Sequence, residues 1–168
     1  MKRWLLVCCL TLSCATSAWG QETAIKAQSV EVPSQEKLNK QFEESLSGAK
    51  LVGRFTVFGN EDKPAAQEEY VISSVTKLKE GDYWLFKARI KYGDKDVTVP
   101  LPLEVKWAGD TPVITLTDFT IPGLGTFSAR VVIYRDSYVG WWQHGEHGGH
   151  LFGKVEKLKP DAAADKAK

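Results

Sequence analysis

Cysteine is absent from nearly all of this chain. Its three copies, Cys8, Cys9 and Cys14, fall within the first 14 residues. Those residues belong to a segment ordered like a secretory signal peptide. Lys2 and Arg3 precede the apolar run Trp4 to Leu12, and a small-residue stretch ends in Ala18-Trp19-Gly20. Cleavage near Gly20 is expected to leave an exported chain, periplasmic or secreted, that begins at Gln21. That chain has no disulfide and no thiol chemistry, so core packing must stabilise it. Lipid anchoring at Cys14 is not expected, because Thr11 stands where a lipobox usually has Leu.

Long apolar runs are lacking too. No stretch after the signal approaches a membrane span, so no transmembrane segment is expected in the processed chain. An excess of charge of one sign is also missing. Without Lys2 and Arg3, 20 basic residues stand against 21 acidic ones, a net charge of −1. A near-neutral surface of mixed sign argues against nucleic acid or an anionic membrane as the main partner. No nucleophile–base pair or phosphate-cradling loop marks an enzyme, and no cofactor is implied. Gly123-Leu124-Gly125 follows Pro122 and reads as a turn.

What is present is a pattern of period two. Residues 21–32 are polar and aperiodic, a flexible leader. Residues 33–158 read as a single β domain with a short N-terminal helix. Ser34 is the expected N-cap, Glu36 lies in the first turn, and Leu38, Phe42 and Leu46 recur at steps of four before Gly48. Such a one-sided helix packs against the domain or closes one end of it. Strands are predicted near Leu51–Phe58, Glu69–Leu78, Tyr83–Tyr92, Asp96–Trp107, Pro112–Thr117, Phe127–Tyr134, Ser137–Glu146 and Gly149–Leu158. Turn residues such as Glu80-Gly81-Asp82, Gly93-Asp94 and Gly109-Asp110 separate most of them. The expected fold is all-β, an antiparallel meander of about eight strands closed as a small up-and-down barrel, with a β-sandwich as the alternative. Residues 159–168, rich in Ala, Lys and Asp, are expected to form a disordered tail.

The best-patterned strand is the fourth. Val97, Val99, Leu101, Leu103, Val105 and Trp107 share one face, and Thr98, Pro100, Pro102, Glu104 and Lys106 the other. Pro100 and Pro102 lack N–H groups on the same backbone side. That spacing predicts a barrel corner, an open seam or a place where a partner strand adds.

All three histidines lie in His144-Gly145-Glu146-His147-Gly148-Gly149-His150. Imidazole and carboxylate suit zinc, copper or nickel, and His147 with His150 are the candidate metal ligands. A two-residue turn at Gly148-Gly149 sets those two histidines opposite each other. In that register Trp142, His144 and Glu146 line the opposite, inward face, with Gly153 leaving space beside His144. A Trp-His-Glu ladder near a barrel mouth can stack a small ligand and fix its polar group, so these three are the candidate ligand-binding residues. Trp141 alternates away from Trp142 and should lie outside as a possible contact point. Trp84, Phe86, Ala88 and Ile90 share an inward face, as do Phe127, Ala129, Val131 and Ile133.

Gly53-Arg54-Phe55 after a short helix, and the late strand Tyr138-Val139-Gly140-Trp141-Trp142, resemble the small barrels of the lipocalin and avidin type. Those families carry an early Gly-x-Trp, where this chain has Phe55. The stretch from Trp107 to Gly125 resembles small exported bacterial proteins of unknown function. The barrel resemblance implies binding of a small ligand and carries over no binding residue. The expected function is a non-enzymatic exported β-barrel that binds a small molecule or a protein partner at one end. The alternatives are a metal-binding protein using the His144–His150 segment and a hydrolase-like enzyme with Glu146 or His144 as base.

Overall fold

The computed structural model describes residues 33–92 and 94–158. The signal, leader and tail expectations, including Cys14, fall outside the described residues. The elements run α1 (Gln35–Leu46), β1 (Ala49–Phe55), β2 (Ala66–Lys77), β3 (Tyr83–Tyr92), β4 (Lys95–Ala108), β5 (Thr111–Ile121), β6 (Gly125–Tyr134), β7 (Ser137–His144) and β8 (His147–Lys157). Each strand pairs antiparallel with the next. β1 then pairs with β8, from Ala49↔Lys157 to Phe55↔Leu151, and closes an eight-stranded up-and-down barrel. That closure excludes the sandwich. No helix among the described residues is long and apolar enough to cross a membrane.

Helix α1 forms where the capping and spacing predicted it. The Ser34 hydroxyl accepts from the Lys37 N–H, and Leu38, Phe42 and Leu46 are buried. Phe42 sets its ring edge-on to Trp84 at 5.0 Å, Trp107 at 5.9 Å and Phe86 at 6.2 Å. These partners sit where β3 begins and β4 ends, so α1 closes that end of the barrel. Lys157 holds the helix C-terminus by donating to the Glu44 and Ser47 carbonyls, a cation placed where the helix dipole favours one. The Ser47 hydroxyl joins α1 to β2 through the Val75 N–H at 3.0 Å.

The barrel wall is uneven. The β3–β4 ladder has ten pairs, from Tyr83↔Glu104 to Tyr92↔Lys95. The β4–β5 ladder has five, from Glu104↔Thr115 to Ala108↔Thr111. The Val105 N–H donates toward β3, to the Asp82 carbonyl at 2.9 Å. Backbone groups alternate sides along a strand, so the nitrogens of Pro100 and Pro102 face β5, where the ladder is missing. The two prolines therefore line an open seam and not a barrel corner. β5 parts from β4 beyond Thr115, just before its register to β6 slips between Leu116 and Phe119, where Asp118 takes a φ of +47°. The Arg130 guanidinium braces this bulge by donating to the Leu116 carbonyl and the Thr117 hydroxyl. A strand edge without donors resists unwanted pairing.

Candidate functional site

Inward side chains do not fill the barrel. A cavity of about 510 Å³ occupies its interior, walled by groups such as Phe86, Leu101, Ile114, Leu116, Phe127 and Leu151. Its lining includes Val57 and Asn60 from the β1–β2 connection, and His144 and His147 from the β7–β8 hairpin. These lie at the end opposite α1, which is the mouth. Eight-stranded barrels are wide enough either to fill with side chains or to leave room for one small molecule, and this interior is unfilled.

The hairpin at the mouth differs from its expected form. The turn is Gly145-Glu146, with His144 opposite His147, Trp142 opposite Gly149 and Tyr138 opposite Gly153. Gly145 carries the positive φ of +58° that the turn demands. Gly148 and Gly149 stand in β8 instead. A side chain at Gly149 would collide with the Thr56 carbonyl and come within 3.0 Å of the Trp142 indole nitrogen. Those glycines thus serve a close approach of strands, not a turn.

The consequences follow residue by residue. Trp142 and His144 line the cavity, as the alternation predicted. Trp142 donates from Nε1 to the Thr56 carbonyl at 3.2 Å and meets Phe55 edge-on. His144 stacks on Phe127, with ring centroids 4.4 Å apart. Glu146 is an exposed turn residue outside the ladder they form. Moving the turn carries His147 from the outer side of β7 to the inner side of β8, where it joins the mouth. His150 stays outside, opposite Trp141 and edge-on to Phe58 at 5.0 Å. His147 and His150 therefore do not face each other. Among the described residues no group of three His, Cys, Asp or Glu side chains is placed to hold a metal ion. Trp141 is 56% exposed and, with Val139 and Phe152, forms an apolar stripe on the outer face.

The most unusual group in the cavity wall escaped sequence reasoning. Glu68 is 5% exposed and is the buried charged side chain of the described core. Tyr138 donates its hydroxyl to Glu68 Oε1 at 2.8 Å, and Tyr70 donates to Oε2 at 2.9 Å. Glu68 pairs with Gly53, Gly53 with Gly153, and Gly153 with Tyr138, so the Tyr138 ring crosses two strands to reach it. Both crossings need glycine. A Cβ at Gly53 would overlap the Tyr138 hydroxyl, and one at Gly153 would lie 2.7 Å from its Cε1. The space expected beside His144 thus belongs to Tyr138. Burial raises the pKa of Glu68, against the opposing pull of the Tyr138 and Tyr70 hydrogen bonds. Burial, then the adjacent Glu68 charge, raises that of Tyr138. A signal did exist: Glu68, Tyr70 and Ile72 alternate inward, but the predicted strand begins at Glu69, one residue too late.

Fold and cavity together define an eight-stranded up-and-down barrel with an apolar, accessible interior. No known protein family and no curated protein matches the sequence of the chain.

Proposed function

We propose that this protein is an exported, non-enzymatic barrel that binds a small, largely apolar molecule in its interior through the mouth formed by His144 and His147. The 510 Å³ apolar cavity is the observation that carries the reading. It falls within the roughly 300–1,000 Å³ of small-molecule sites, which pair apolar walls with few polar groups. Trp142 supplies an aromatic wall, and His144, His147 and Asn60 supply polarity at the rim. A relationship to lipocalin- and avidin-type barrels is part of the proposal. It is supported by strand order and by the glycine of Gly53-Arg54-Phe55, with Phe55 as the departure.

The uncharged fluorophore N-phenylnaphthylamine tests the cavity. It should brighten on binding, and Ala129→Phe, which places a ring in the cavity, should abolish that while the protein stays folded. No brightening with the unaltered protein, or full brightening with Ala129→Phe, counts against internal binding. Native mass spectrometry of protein from its own host identifies the natural ligand. N-terminal sequencing of the same sample tests export, with Gln21 as the expected first residue. A second reading, docking of a protein partner, is favoured by the exposed Val139, Trp141 and Phe152 stripe.

A further inference from the structure

The cavity contains a charge-bearing group that a purely apolar ligand does not require. We propose, resting on the internal-binding reading above, that the cavity selects an amphiphile whose head is a protonated amine, its ammonium seated on Glu68 and its hydrocarbon part in the apolar lining.

Three observations carry this. First, Glu68 lies on the cavity wall and is almost wholly removed from bulk solvent. Second, its oxygens hold one hydroxyl each, from Tyr138 and Tyr70. An ionised carboxylate has about four acceptor positions, so roughly two stay open. Third, both donors are neutral. Among the described residues no Lys or Arg lines the cavity. Ion pairs such as Lys50–Glu69 and Arg89–Asp96 lie on the outer face of the wall formed by β1 to β4.

A buried carboxylate without a countercharge is costly. An ammonium has three N–H donors and no acceptor. It supplies the missing charge and fills the open acceptor positions, in a place where water does not screen the attraction. A carboxylate head would bring a second anion beside Glu68, and a hydroxyl head a donor without charge. Tyr138 holds the site in place: its path over Gly53 and Gly153 fixes the carboxylate facing inward.

Displacement of bound N-phenylnaphthylamine by decylamine, decanol and decanoic acid at neutral pH tests the head group separately from the cavity. Decylamine should displace the probe at a concentration about ten-fold or more below either of the others. Glu68→Gln should keep probe binding and erase that difference. Equal displacement by the three, stronger displacement by decanoic acid, or a preference that survives Glu68→Gln overturns the amine assignment and leaves internal binding standing. Failure of the probe to bind the unaltered protein overturns both. Should Glu68→Gln not fold, the ranking of the three heads on the unaltered protein decides alone.

Discussion

The two ends of this barrel are built from opposite choices. At one end α1 lays Phe42 against Trp84, Phe86 and Trp107, and the interior is packed with rings. At the other the hairpins end in polar and glycine residues, and His144 and His147 border an open cavity. The β4–β5 seam follows the same division. Its ladder is intact from Glu104 to Ala108, nearest the helix, and missing toward the mouth. Stability is thus concentrated where the helix sits, and the mouth end is left open. A small barrel without disulfides in its described residues can leave one end unfilled because the other end is so well packed.

The largest expected effect sets the ends against each other. Phe42→Ala removes a buried ring that contacts three others and should cost about 3–5 kcal/mol in chemical denaturation. His147→Ala, exposed at the mouth, should change stability by no more than about 0.5 kcal/mol. Similar losses at the two sites would abolish the distinction.

A smaller effect is expected between the ends. Gly153→Ala forces a methyl against the Tyr138 ring and the Val52 carbonyl, and should cost about 1–3 kcal/mol. Gly123→Ala is the control, because a Cβ there meets nothing within 4 Å, although its φ of +80° adds some backbone strain of its own. A loss at Gly153 no larger than at Gly123 would contradict the crossing of Tyr138 over β8.

A third comparison stays on one strand. Leu103 is buried and Thr98 is exposed on the opposite face of β4. Leu103→Ala should cost about 2–5 kcal/mol, and Thr98→Ala less than about 1 kcal/mol. A larger loss at Thr98 would mean that the register is slipped by one residue.

The smallest effect is a slope with pH. Burial raises the pKa of folded Glu68 above its ordinary 4.5, so the folded state holds this proton more tightly than the unfolded chain. Its contribution to stability is complete below that ordinary value and is lost as pH rises through the folded value. Relative to Glu68→Gln, the unaltered protein should lose stability as pH climbs from about 4.5 toward neutral. Urea titrations at several pH values measure this. A flat difference would show that the two tyrosine hydrogen bonds match burial, and a slope in the opposite direction that they outweigh it.

Much of the architecture was legible because alternation is a local property. Val97 to Trp107 announces its buried face without reference to any neighbour, and the spacing of Leu38, Phe42 and Leu46 does the same for α1. The inward placement of Trp142 and His144 survived even a misplaced turn. Trp142 faces Gly149, an even displacement from the expected register that leaves β7 and the residues of β8 from Gly149 onward on their own sides. The turn itself was not legible. Gly145-Glu146 and Gly148-Gly149 are both plausible turns, and the choice depends on Thr56, the residue after β1, which must approach Gly149.

The sequence by itself determined the helix, the strands, their order and the faces they bury, because propensity and periodicity act between residues a few positions apart. Tertiary structure alone decided the closure of β1 on β8, the open half of the β4–β5 seam, the unfilled interior and the meeting of Glu68 with Tyr138. Those two residues lie 70 positions apart. Nothing in the local pattern of either registers the other, because only the stagger of a closed barrel brings a carboxylate on β2 within reach of a hydroxyl from β7.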